Sequence, residues 1–163
     1  MDFDLSEEQQ LLQETVGQFI ENECPMARIR ELFDDEVGYD PVLWKGLAEM
    51  GLAGIHLPGD LGGSELEILD LAVVAETLGA SAAPVPFLGH SLATEAIQCA
   101  GSDEQKSRML PSLASGEQLA TVALAEDGGV WLPEQWTIAA PDFASGTISG
   151  TKEIVEFGEH EIY

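Results

Sequence analysis

A chain of 163 residues that is 45% hydrophobic is long enough for one domain with a real core, because a domain of about 150 residues takes roughly 70% of its unfolded surface out of water. Its 30 acidic and 6 basic residues give a formal charge of -24, which excludes the continuous Lys/Arg surface that nucleic acid requires and repels an anionic membrane. A polyanionic ligand would need its own basic pocket. Arg28, Arg30, Lys45, Lys106, Arg108 and Lys152 are the isolated candidates for one, and each reads first as a surface charge in a local pair.

Cys24 and Cys99 lie far apart, outside any C-x-x-C pair and away from a His at metal spacing. They read as buried free thiols in a reducing compartment. The acidic start MDFDLSEEQQ lacks the basic residues of a signal or transit peptide, and no apolar run reaches membrane-spanning length. The expectation is a cytoplasmic protein.

In chain order, Ser6 with Gln9 forms a capping box that opens a helix. Leu11, Leu12, Val16, Phe19 and Ile20 place an apolar face along it, and Pro25 closes it. Ile29, Leu32 and Phe33 predict a short helix followed by an acidic loop. Asp40-Pro41 supplies an N-cap and a Pro at the first helical position, Trp44, Leu47 and Ala48 form the next apolar face, and Gly51 caps the end in the left-handed region.

The segment GLAGIHLPGDLGG, residues 51–63, has too many glycines for a helix, and its Leu52, Ile55, Leu57 and Leu61 predict a covered, ordered crossing. It carries neither G-x-x-x-x-G-K-[ST] nor a G-x-G-x-x-G turn after a strand, so its glycines read as backbone turns rather than as a phosphate cradle. Ser64 and Glu67 suggest a second capping box, opening a helix stopped by Gly79 whose ILDLAVVA run is apolar nearly all round. That helix is expected to be enclosed, with Leu69 and Leu71 buried.

Ser81 to Pro86 predicts an extended linker. Phe87 opens a helix through Leu88, Leu92, Ala96 and Ile97 to Gly101, and Ser102 with Gln105 forms a further capping box. The helix after it should break or bend at Pro111 and stop at Gly116. From Leu119 the pattern changes: 121–126, 135–139, 147–149 and 153–157 are short runs rich in Thr, Ile, Val and aromatics, with Gly128-Gly129 and Gly150-Thr151-Lys152 as turns. These read as the start of a β domain too short to close a sheet.

DLAVVAETLG (70–79), APVPFLG (83–89) and GSDEQKSRMLPSLASGE (101–117), in that order and spacing, resemble the acyl-CoA dehydrogenase family. The similarity runs from near residue 5 to about 126 and more weakly to ISGTKEIV (148–155), which is similar to a Gly-x-Lys hairpin of the family's middle domain. The fold expected is mainly α, an amino-terminal helical bundle of the acyl-CoA dehydrogenase type at 1–117 followed by an incomplete middle β domain at 118–163.

The activity this resemblance implies is FAD-dependent α,β-dehydrogenation of an acyl-CoA thioester. The family's catalytic carboxylate lies in a third domain, so no catalytic base is named here, and the isolated chain is expected to be inactive and to bind FAD weakly or not at all. ALAEDGG (123–129) is similar to the family's Leu-Thr-Glu-Pro segment, whose backbone faces the isoalloxazine ring. The implied cofactor-binding residues are Leu124, Ala125 and Glu126.

Ala125 stands where the family has a hydroxyl residue, and Asp127 where Pro is usual. One lost hydroxyl bond costs about 0.5 to 1.5 kcal/mol. Gly128 to Trp131 would border the acyl pocket, although Trp131 and Trp136 read equally as packing residues. No metal is implied. His56 reads as packed in its loop, His90 as facing a helix groove or solvent, and His160 as unassigned.

The alternative to an enzyme piece is a non-catalytic partner subunit joined to a full-length homologue, giving a homo- or hetero-oligomer. Exposed edges of an unfinished β segment would favour such a partner. A related flavin oxidase on the same fold is a third reading, since fold does not fix chemistry.

Overall fold

The computed structural model describes residues 4–33, 38–138, 146–147 and 149–157. His160, Ala139 and Ile148, on which some of the expectations above fall, lie outside the described residues. Among the described residues six α-helices form: α1 (Glu7–Glu23), α2 (Met26–Leu32), α3 (Pro41–Glu49), α4 (Ile68–Ala80), α5 (Phe87–Ala100) and α6 (Asp103–Ala114). None is long and apolar enough to cross a membrane.

Local chemistry sets most of the helix boundaries. Ser6 and Gln9 exchange their capping bonds at α1, and Ser102 and Gln105 do the same at α6. Asp40 Oδ1 accepts from the Val42 and Leu43 N–H groups at α3, while its Oδ2 accepts from Arg28 Nε at 2.9 Å. Burial works to raise the Asp40 carboxyl, but the Arg28 bond and the backbone donors outweigh it and hold it below the usual carboxylate range. Gly51, at φ 79°, completes a Schellman turn in which the Leu52 N–H donates to Leu47 O and its own N–H to Ala48 O.

Two boundaries differ from the sequence expectation. The box before α4 is made by Glu67 and Asp70, not by Ser64. The Ser64 hydroxyl instead donates to Gly51 O, because that residue is held in the crossing by its N–H bond to Gly54 O. Gly79 does not stop α4, which runs one residue further and places Ala82 at φ 49° as the left-handed cap residue. A β-carbon in that region costs about 1 to 2 kcal/mol. Ala82→Gly should therefore raise stability by about 0.5 to 1 kcal/mol, read as a higher urea midpoint with an unchanged slope.

The core has two parts. Val16 and Ile20 of α1, Leu43, Trp44 and Leu47 of α3, Val74 and Leu78 of α4, and Leu52 and Ile55 of the crossing form one. Leu57 of the crossing joins Ala93 of α5 and Leu110, Leu113 and Ala114 of α6 in the other. The crossing is thus ordered and covered, as its apolar residues predict, and it contributes to both.

Several expected core residues lie outside. Leu69 is 54% exposed and Leu71 is half-buried against the first cluster, so α4 is enclosed on one side through Val73, Val74 and Leu78 and open on the other. Leu11 and Phe33 are also exposed. On α5 the expected face is inverted: Leu88 and Leu92 are exposed, whereas His90, Ser91 and Thr94 are buried. Helix α6 runs through Pro111 without ending. Cys24 is buried as expected, but Cys99 is exposed on α5.

Beyond α6 the described residues hold less regular structure than the β pattern predicts. Antiparallel bridges pair Ala125 with Glu153 and Glu126 with Val130, a 3-10 turn spans Pro133–Gln135, and no continuous strand forms among the described residues. Two short paired stretches on their own are marginal, and here side-chain bonds from Glu126 and Lys152 help to fasten them.

Candidate functional site

Leu124, Ala125 and Glu126 form an extended segment after α6, and its surroundings are built from three separated stretches. The Glu153 N–H donates to Ala125 O at 2.8 Å, and the Glu126 N–H donates to Val130 O at 3.0 Å. Lys152 Nζ donates to Leu124 O at 3.1 Å. Ala125 is buried and Leu124 is partly exposed, as are Trp131 and Leu132 just beyond the Gly128-Gly129 turn.

Glu126 is 4% exposed, and its side chain accepts from four donors. They are the Thr137 N–H at 2.6 Å, the Thr137 hydroxyl at 2.9 Å, the Ile138 N–H at 3.2 Å and Lys152 Nζ at 3.1 Å. Desolvation alone would raise this carboxyl, yet the Thr137 N–H, Lys152 and the remaining donors hold it at about 2. It is a permanent anion whose lone pairs are spent inside the chain. Lys152 also lies 4.2 Å above the Trp136 ring, so Trp136 packs beneath the cation. Of the isolated cations singled out by charge, Lys152, Arg28 and Lys45 sit in pairs.

Two buried polar atoms close to this segment in the chain have no hydrogen-bond partner among the described residues: Thr121 Oγ1 and Trp136 Nε1. A β-carbon at Gly89 of α5 would come within 2.6 Å of Thr121 Oγ1, so only Gly leaves that hydroxyl room. Leu124, Trp131 and Leu132 are exposed apolar side chains near the segment in sequence, and the two unpaired buried groups are polar atoms left over for a ligand. The residues present are compatible with a flavin held through the 124–126 backbone, and no metal-ligating group of three or more His, Cys, Asp or Glu occurs among the described residues.

His56 and His90, the histidines among the described residues, lie elsewhere and are structural. His90 is fully buried, not turned to a groove or to solvent. Its Nε2 lies 3.1 Å from Leu113 O, and its Nδ1 accepts from the Ala120 N–H at 3.3 Å. The two bonds require the neutral ring protonated on Nε2, and burial holds its pKa at about 4. His56 is packed in the crossing as expected, with Nε2 3.4 Å from Glu95 Oε2. Burial lowers its pKa, opposed by Glu95. Glu95 Oε1 also accepts from Cys99 Sγ at 2.9 Å, which, with desolvation, raises the thiol.

Sequence reasoning missed the Glu126–Lys152 tie and the Arg28–Asp40 tie, because residues separated by 26 and 12 positions leave no spacing signal. The acid excess itself was the available clue. With so few cations, each partly buried one is expected to have a carboxylate partner.

Residues 6–117 match the family model for the acyl-CoA dehydrogenase N-terminal domain. The chain is 40% identical over 119 residues to the acyl-CoA dehydrogenase IpdE2 of Mycolicibacterium smegmatis, covering 72% of this chain and 37% of that protein. It is 30% identical over 163 residues to the mitochondrial isobutyryl-CoA dehydrogenase of Dictyostelium discoideum, covering 98% of this chain and 39% of that one. Among solved structures, the ChsE4-ChsE5 complex of Mycobacterium tuberculosis is similar with a TM-score of 0.73 and 33% identity, over 80% of this chain and 36% of that one. An acyl-CoA dehydrogenase complexed with FAD from Bacillus anthracis is similar with a TM-score of 0.61 and 31% identity, over 77% of this chain and 22% of that one. The chain therefore spans well under half the length of these relatives, and it belongs to the acyl-CoA dehydrogenase family, whose N-terminal domain it carries.

Proposed function

We propose that this chain contributes the helical domain and part of the flavin-facing segment of an FAD-dependent acyl-CoA dehydrogenase acting on an acyl-CoA thioester. The observation that carries the cofactor reading is the 124–126 segment, its backbone held by Lys152, Glu153 and Val130 beside the unpaired donors of Thr121 and Trp136. The relative complexed with FAD supports the same reading. On this reading the helical domain ends at 117 and the segment's region begins at 118.

When bound, FAD would supply the hydride acceptor for oxidation of the Cα–Cβ bond. This chain's own residues would orient the ring through the backbone of Leu124, Ala125 and Glu126 and cover one side of it with apolar surface. Removal of the α-proton needs a carboxylate whose pKa is raised by desolvation. Asp40 and Glu126, the buried carboxylates among the described residues, are both held below the usual range, which is the wrong direction for that base. On this reading the base is supplied by another part of the protein.

A second reading, a non-catalytic subunit docked on a fuller homologue, is favoured by the exposed Leu88 and Leu92 on α5 and Ile68 and Leu69 on α4. The solved ChsE4-ChsE5 relative is itself a complex of two named components. Titration of the purified chain with FAD, followed by visible absorbance with the mass in solution recorded, separates the two. The expected result is weak, saturable uptake with a perturbed flavin spectrum. A spectrum that stays that of free FAD at every concentration would remove the cofactor role of 124–126 and leave the subunit reading.

A further inference from the structure

We infer that the Glu126 and Lys152 side chains are positioning residues for the cofactor segment, acting through Thr137, Ile138 and the Leu124 carbonyl rather than by touching the ligand. The inference rests on the flavin reading above and assigns roles within that same site.

Three observations point to it. First, one carboxylate holds the segment from a single place. Glu126 takes up the Thr137 N–H and hydroxyl and the Ile138 N–H, fastening 136–138 against 124–126 without a strand ladder. Second, the ammonium of Lys152 is shared between Glu126 Oε1 and Leu124 O, each at 3.1 Å, so the charge pair also fixes the carbonyl at the start of the segment. Third, the cation sits over Trp136, whose buried Nε1 has no partner; losing the cation would release the ring that presents that donor.

Glu126 cannot itself serve as a ligand to the ring. Its oxygens already accept four bonds, close to the limit of about four lone-pair sites on a carboxylate. Lys152 is likewise committed to two acceptors and a ring face. Both groups are therefore spent on geometry, and the effect of losing either should reach the ligand only through the backbone they hold.

The test is FAD titration of the 163-residue chain and its variants Lys152→Met, Glu126→Gln and Lys152→Arg, with amide exchange and far-UV melting of each. Lys152→Met keeps the apolar stem and removes the charge, and Lys152→Arg restores donors and the cation–π contact. The expected result is about tenfold weaker uptake in Lys152→Met and in Glu126→Gln, the scale of one charge-assisted bond. The amides of Thr137 and Ile138 should exchange faster, the helix melt should stay where it was, and Lys152→Arg should recover most of the affinity. Equal uptake by all variants would overturn the positioning role and leave the flavin reading intact. So would a helix melt that falls in step with affinity, which marks a purely structural role. A parent chain that takes up no FAD overturns the flavin reading and this role with it.

Discussion

A chain carrying His90→Ala should unfold about 3 to 5 kcal/mol more easily than the parent at pH 7, measured by urea denaturation. The ring is fully buried, and its removal strands the Ala120 N–H at about 1 to 3 kcal/mol, takes one of two donors from the Leu113 carbonyl, which keeps the Gly116 N–H, and leaves a cavity. It also removes the edge-to-face contact with Trp44, 5.0 Å between ring centroids. Trp44 Nε1 donates to Gly116 O at 3.1 Å, so the two rings together tie the end of α6 to α3 and α5.

The same histidine predicts a pH dependence. Its pKa is about 4 when folded and 6.5 otherwise, so between those values the unfolded chain binds more protons. Stability is therefore full above pH 6.5 and falls as pH drops toward 4, by about 3 kcal/mol at roughly 1.36 kcal/mol per pH unit. His56, lowered by burial, adds a slope of the same sign. Asp40 and Glu126, with depressed carboxyls, lose their contribution only below the ordinary carboxylate range. The slope from pH 6.5 to 4 should shrink in His90→Ala, and a slope equal to the parent's would contradict the neutral, doubly bonded ring.

Gly63→Ala should cost about 3 kcal/mol, on the scale of overpacking a close-packed site. A β-carbon there overlaps the carbonyl of Leu57, which accepts from the Glu65 N–H at 3.0 Å while the Gly63 N–H donates to Pro58 O at 2.9 Å. Leu57 is fully buried against α5 and α6, so its carbonyl has no room to retreat. Gly79→Ala is the control, because a β-carbon there meets nothing within 4 Å and the site is helical. It should be neutral or stabilising by up to about 1 kcal/mol. Thermal melts of the pair should move in opposite directions or differ widely. Equal shifts would mean that the crossing is looser than its bonds indicate.

The helices were legible because their signals are local. Ser6 with Gln9, Asp40-Pro41 and Ser102 with Gln105 each fix a start within four residues, and Gly51 fixes a stop by its backbone freedom. What sequence patterns misjudged was decided by tertiary contact. On α5 apolar spacing selected Leu88 and Leu92 for the interior, yet His90 and Thr94 occupy it because each finds a hydrogen-bond partner there. On α4 an all-round apolar run predicted enclosure, but Ile68 and Leu69 are uncovered, since this chain supplies neighbours on one side. The cofactor segment was placed by its likeness to a family motif, whereas the carboxylate tie that shapes it joins residues with no common spacing.

The described residues from Thr121 onward are fastened chiefly by polar bonds converging on one carboxylate, with Val122 and Phe157 as apolar contacts, while the helices are fastened by interlocked apolar clusters. These two kinds of attachment should not share a melting transition. Heat attacks the helical body through loss of packing, with a large enthalpy and a sharp onset. The tail instead depends on a handful of bonds that can open locally without exposing the clusters beneath. The expected behaviour is that of two cooperative units of unequal strength, the weaker carrying the segment that would meet the cofactor.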